Sequence, residues 1–146
     1  MSEPVRVQVL RMDPDMPMVR PAKPGDAGVD LRSTEAMTIE PGARCLIPTG
    51  LAVAIPEGYA GFVQPRSGMA INKGLGLLNS PGLIDSGYRG ELKVIAINLG
   101  SGVLTIERGD RIAQLVILPV PAFLYEEVTE LPGSERGAGG FGSTGT

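Results

Sequence analysis

The sequence has no histidine, no tryptophan, one cysteine and only six aromatic residues (three Tyr, three Phe). Each shortage removes a class of chemistry. Without histidine there is no Ser-His-Asp triad, no Cys-His dyad and no His-ligated metal site, so a general base must be a carboxylate, a lysine or a tyrosine. Any metal should be a hard ion that takes oxygen ligands. A lone Cys45 excludes an intramolecular disulfide framework and a cysteine-rich zinc site. Long apolar runs are missing too: the longest, Leu115 to Leu124, is broken by Pro119 and Pro121, which predicts no membrane-spanning helix. The start, Met1-Ser2-Glu3-Pro4, lacks the basic stretch and apolar core of a signal peptide, and a cytoplasmic location is expected. A net charge of −3 offers no basic surface for nucleic acid.

Glycine and proline, by contrast, are plentiful, at 21 and 13 of 146 residues. With short apolar runs between them, they predict one domain of many short strands joined by tight turns, large enough for a hydrophobic core. Val5 to Met12 alternates as a half-buried strand. Further strands are expected over Ala27 to Leu31, Ala36 to Ile39, Ala43 to Pro48, Leu51 to Ile55 and Tyr59 to Gln64. Leu92 to Leu99 is apolar on both faces apart from Lys93 and Asn98, as in a strand buried on both sides, in a sandwich core or in a subunit interface. Val103 to Glu107 and Arg111 to Val120 flank the polar turn Arg108-Gly109-Asp110. Gln114, inside the last strand, needs a hydrogen-bond partner, because an unpaired amide in a core costs about 1–3 kcal/mol.

The centre of the chain is Asn79 to Glu91, which reads as a β-hairpin. Its apolar arm around Leu83 and Ile84 meets a Ser-Gly corner and returns through Leu92 to Ile97. Asp85 lies in that arm with Tyr88 three residues on, and Gly82, Gly87 and Gly90 let a flat ligand approach the main chain. The stretch is either a plain turn or a small pocket with a base at its mouth. Asp30 is similarly open, a strand-end carboxylate capping a turn or a site residue. At Pro65-Arg66-Ser67-Gly68, Ser67 is the expected N-cap of one short helix, Gly68 to Lys73, and this corner is either a helix start or an anion site.

From Pro132 the composition turns to Gly, Ser and Thr, so residues 1–131 read as a single β domain and 132–146 as a flexible tail. Gly137, Gly139 and Gly142 match G-x-G-x-x-G formally, but four remaining residues cannot form the βα unit a dinucleotide site requires. Arg136 and the tail amides could hold phosphates while Phe141 stacks on a base, or the tail could simply be disordered.

Five segments, Ala27 to Leu31, Pro65 to Gly68, Asn79 to Glu91, Arg111 to Leu115 and Arg136 to Gly145, closely resemble in order and spacing the five motifs of the trimeric dUTP pyrophosphatases (dUTPases). Leu83 and Gly87 are the looser positions. The resemblance implies an all-β, jelly-roll-like barrel or sandwich with one short helix and a flexible Gly-rich C-terminal tail. It implies hydrolysis of dUTP to dUMP and pyrophosphate with Mg²⁺, by a homotrimer whose three sites each draw on all subunits. Asn79 and the backbone of Leu83, Ile84 and Asp85 would read uracil, with Lys93 also contacting substrate. Tyr88 would pack on the deoxyribose, and Asp85 would deprotonate the attacking water. Arg66, Ser67, Gly68 and Gln114 would bind phosphate oxygens, and Asp30 would reach the metal through water. Arg136, Phe141, Gly142, Ser143 and Thr144 of a third subunit would close the site. Two rival readings are a dCTP deaminase of the same wider fold group and a non-catalytic trimer that binds a protein partner.

Overall fold

The computed structural model describes residues 3–145. Met1 and Ser2, part of the start read as leaderless, and Thr146, the last residue of the tail, lie outside the described residues. Among the described residues ten strands and one short helix follow in order: β1 (Gln8–Arg11), β2 (Gly28–Arg32), β3 (Met37–Ile39), β4 (Arg44–Ala54), β5 (Tyr59–Gln64), α1 (Ser67–Lys73), β6 (Leu75–Leu77), β7 (Gly82–Ile84), β8 (Glu91–Asn98), β9 (Leu104–Ile106) and β10 (Arg111–Pro119). They form two four-stranded antiparallel sheets, ordered β1-β4-β8-β6 and β2-β10-β5-β7, and a β3-β9 ribbon. The all-β expectation holds. No helix among the described residues is long and apolar enough to cross a membrane.

Alternation explains why these segments pair as sheets. In β8, Leu92, Val94 and Ala96 are buried while Lys93 between them is exposed. One apolar cluster joins both large sheets and the ribbon: Ile47 and Val53 of β4, Leu92 and Val94 of β8, Leu31 of β2, Ile112 and Leu115 of β10, Ile39 and Ile106. Each such side chain contributes about 1.5–3 kcal/mol by leaving water. The buried polar side chains, Ser33, Thr49 and Asn98, are all hydrogen-bonded; Asn98 donates to the Ile39 and Gly102 carbonyls at 2.8 Å each. They brace loops and strands.

Several expectations need correction. The strand read over Val5 to Met12 is confined to Gln8–Arg11, because its partner β4 ends at Ala54, opposite Gln8. Ala43 to Pro48 and Leu51 to Ile55 are one strand, not two. Thr49 and Gly50 make a bulge in it: Pro48 pairs with Lys93 and Ala52 with Glu91, so β4 advances four residues while β8 advances two. Gly50 has φ +67°, and a Cβ there would stand 2.8 Å from Thr34 Cγ2, so glycine is required. The three-residue β6 went unread, being too short to show a period.

The Asn79–Glu91 stretch is not a hairpin. β7 pairs with β5 in one sheet, and β8 pairs with β4 and β6 in the other. Residues 85–90 therefore form an arch between layers. Within the single chain β8 is buried on one face: Ile95 and Ile97 are only partly covered, and Leu46, opposite Ile95, is 54% exposed, so of the two settings expected for this strand the sandwich core does not hold. The helix is capped by the extended Arg66, and Ser67 is its first residue, so no side chain caps it. Regular structure ends at Pro119, and beyond it Phe123, Leu124 and Tyr125 are exposed.

Candidate active site

The register of one sheet builds the first half of the site. Gln114 of β10 lies opposite Asp30 of β2 on one side and opposite Gln64 of β5 on the other. Pro65 ends β5, and Arg66, Ser67 and Gly68 turn the chain into α1 beside this row. Asp30, Arg66, Ser67, Gly68, Arg111 and Gln114 thus line one cleft of about 510 Å³. Asp30 is not capping a turn. Its Oδ1 accepts from Arg66 Nε at 2.8 Å, and its Oδ2 lies 3.6 Å from Arg111 Nη1. Arg66 Nη1 also reaches the Arg111 carbonyl at 3.4 Å. Gln114 finds its partner: Nε2 donates to the Pro65 carbonyl at 2.9 Å. The cleft holds two guanidiniums, a serine hydroxyl released from capping duty and two carboxylates, Asp26 and Asp30; the guanidiniums and the hydroxyl are donors suited to an anion.

The arch builds the second half. Leu83, Ile84, Asp85, Tyr88 and Lys93 line a cleft of about 440 Å³ together with Leu46 and Glu91. The Tyr88 amide donates to the Asp85 carbonyl at 3.1 Å, closing the turn and setting ring and carboxylate on the same cleft. Tyr88 Oη donates to the Glu91 carbonyl at 3.0 Å. The ring lies against Gly90, where an added Cβ would stand 2.7 Å from Tyr88 Cζ, so only glycine permits this approach. Asn79 precedes the arch, its Nδ2 3.4 Å from the place a Gly82 Cβ would take.

Among the described residues none lines both clefts, and those of the tail line neither. The described tail residues are folded on themselves: Arg136 Nε donates to the Gly139 carbonyl at 2.8 Å, and Ser143 and Gly145 amides reach Gly140 and Gly142. Phe141 is fully exposed with φ +52°. Arg136 and Ser143 thus meet around Gly139, and none of Arg136, Phe141, Gly142, Ser143 and Thr144 lines either cleft. Sequence reading missed Arg111 and Glu91. Arg111 heads a segment already singled out, but its nearness to Asp30 follows only from the pairing of β10 with β2.

Three groups outside the two clefts, Asp13, Arg108 and Cys45, have displaced ionisation. Arg108 Nη1 donates to Asp13 Oδ2 at 2.7 Å, and that bond holds the Asp13 carboxyl below its ordinary value and raises Arg108. Burial pushes the Cys45 thiol up, which makes it a poor nucleophile; its Sγ lies 3.5 Å from Met37 Sδ.

The dUTPase family model matches residues 15–145. The chain is 54% identical to the deoxyuridine 5'-triphosphate nucleotidohydrolase of Streptomyces avermitilis over 97% of this chain and 82% of that one. It is 50% identical to the protein of that name from Gloeobacter violaceus, over 98% of this chain and 99% of that one. Among solved structures, the Staphylococcus bacteriophage 80alpha dUTPase with dUPNHPP superposes with a TM-score of 0.89 at 33% identity, covering 97% of this chain and 99% of that one. A mutant dUTPase from phage phi11 of S. aureus, in a structure describing coordination of a structural Mg(II) ion, gives 0.79 at 30% identity, over 86% of this chain and 97% of that one.

Proposed function

The chain belongs to the dUTPase family, and we propose that it hydrolyses dUTP to dUMP and pyrophosphate, with Asp85 taking a proton from the water that attacks the α-phosphorus in line. The reaction is one of nucleotide metabolism: it keeps uracil out of DNA and supplies dUMP for dTMP synthesis. Its compartment in this reading is the cytoplasm. The activity rests on identity above one half across nearly the whole chain.

The roles of individual residues rest on the two clefts. Cleaving a phosphoanhydride requires charge neutralisation and positioning above all. Arg66, Ser67, Gly68 and Gln114 bind phosphate oxygens in the first cleft. In the second, Asn79 and the backbone of Leu83, Ile84 and Asp85 read uracil, Lys93 contacts the substrate, and Tyr88 packs on the deoxyribose. Asp85 is exposed at the mouth of that cleft, where water can reach it. A fixed backbone edge leaves mismatched donors and acceptors with cytosine, each costing about 1–3 kcal/mol.

Mg²⁺ fits this site in one manner. Among the described residues no group of three or more His, Cys, Asp or Glu side chains is gathered to hold a metal. Both Asp30 oxygens face guanidiniums, which oppose a cation bound directly to the carboxylate. Asp30 would hold a hydrated ion only through its waters, as an acceptor beside the Arg66 and Arg111 guanidiniums. The chemistry Mg²⁺ supplies when bound is neutralisation of phosphate charge.

Separation of the clefts supports a homotrimer with three shared sites, closed by Arg136, Phe141, Gly142, Ser143 and Thr144 of a third subunit. The half-covered outer face of β8, with Leu46 and Ile95, suits a subunit interface. Pyrophosphate release from dUTP tests the activity, and ammonia release from dCTP tests the deaminase alternative. Light scattering of the purified protein tests the trimer. Deamination, or a monomer with full activity, would overturn the corresponding part.

A further inference from the structure

We infer that Glu91 and the Thr49–Gly50 bulge form a positioning unit for the Tyr88 ring, and so help decide between deoxyribose and ribose. The inference rests on the reading above that Tyr88 faces the sugar. A bulge leaves main-chain groups without ladder partners, and here the Gly50 amide donates to Glu91 Oε2 at 3.2 Å. Thr49, beside it, donates through Oγ1 to the Leu92 carbonyl at 2.5 Å. Both bonds fasten the first two residues of β8, where the arch ends. Glu91 then presents its own carbonyl to Tyr88 Oη at 3.0 Å. The hydroxyl end of the ring also lies against Gly90. A continuous chain of contacts therefore runs from the bulge, through the Glu91 carboxylate and carbonyl, to the hydroxyl of a ring that lines the same cleft as Asp85. Without the carboxylate, Gly50 loses its partner and Glu91 is left with its strand pairing to Ala52 alone to fix its place against the bulge. The ring, held only at its tip, is then free to tilt and admit a 2′-hydroxyl.

The test measures kcat/KM for dUTP and for UTP, with thermal midpoints, in the full-length protein and in Glu91→Ala, Glu91→Gln, Tyr88→Ala and the Glu91→Ala/Tyr88→Ala double variant. Glu91→Ala is expected to lower the dUTP-over-UTP ratio about ten-fold, the size of one lost charge-assisted hydrogen bond. Glu91→Gln, whose amide oxygen still accepts from Gly50, should keep most of the ratio. The double variant should be no less selective than Tyr88→Ala alone, because coupled residues are not additive. If Glu91→Ala does not fold, Glu91→Met keeps the stem without the acceptor and carries the same expectation. A ratio unchanged by loss of the acceptor, with both nucleotides slowed equally, would make Glu91 a brace only and overturn the inference. Additive effects in the double variant would overturn it as well. If Tyr88→Ala shifts the ratio and Glu91→Ala does not, the sugar reading survives alone; if neither shifts it, both fall.

Discussion

Arg66 Nε and Asp30 Oδ1 lie 2.8 Å apart, so the cleft assigned to phosphate already contains a carboxylate that occupies its arginine. Both side chains remain about one quarter exposed, and asparagine would keep an acceptor oxygen for Arg66 Nε in the same place. Asp30→Asn should therefore leave the thermal midpoint nearly unchanged. The Mg²⁺ concentration needed for half-maximal pyrophosphate release should rise, since the amide is a weaker acceptor for metal-bound water. An unchanged Mg²⁺ requirement would remove Asp30 from that role.

Asp85→Asn should lower kcat by roughly 10²–10⁴-fold, the usual cost of losing a general base. Asparagine retains size and polarity but takes no proton from water. Affinity for a non-hydrolysable dUTP analogue, measured by calorimetry, should stay close to that of the parent. Turnover within a few-fold of the parent would assign the proton to another group.

Removal of residues 136–146 should leave a folded protein that has lost most of its activity. The hydrogen bonds made by the described tail residues are local to the tail, so the thermal midpoint without ligand should barely move. Ordering the tail over substrate costs about 1–2 kcal/mol per residue in backbone entropy, which ligand contacts must offset. Hydrogen exchange should accordingly slow in the tail when the analogue binds. Mixing truncated chains with full-length Asp85→Asn chains should restore part of the activity. No recovery in verified mixed trimers would mean that the tail serves its own chain or none.

Arg108 holds the Asp13 carboxyl below its ordinary value, chiefly through their hydrogen bond. A carboxyl whose folded-state value is depressed stabilises the fold fully above its unfolded-state value and loses that contribution as pH falls through the folded-state value. The difference in thermal midpoint between the parent and Asp13→Asn should be constant near neutrality and close on acidification below the ordinary carboxylate range. A difference that widens in acid would contradict the assignment.

Strands with a visible period were legible before any coordinates. Tyr59 to Gln64 is β5 residue for residue, and Arg111 to Val120 overruns β10 by one. Partners were not. A turn-rich corner between two apolar runs looks the same whether the runs pair with each other or, as here, one pairs with β5 and the other with β4 and β6. Asp85 and Tyr88 share a cleft because they are three residues apart in one turn, which local reading captures. The Asp30–Arg66 and Gly50–Glu91 contacts join residues 36 and 41 positions apart. Their existence depends on sheet register and on a bulge, which appear only when the strands are assembled. The absence of histidine carried further than any single motif, because it confined proton transfer to a few side chains from the outset.

The arch from Asp85 to Gly90 leaves a strand of one sheet and enters a strand of the other, which gives the site a place in time as well as in space. Each sheet can pair internally without bringing that corner into shape. Its conformation is complete only when strands distant in sequence have paired and both layers have docked, the slow class of event in β-rich chains. During refolding, β-structure will therefore be detectable before the chain can bind nucleotide. A partly assembled chain is expected to show no turnover of dUTP, so that catalytic competence should mark the end of folding.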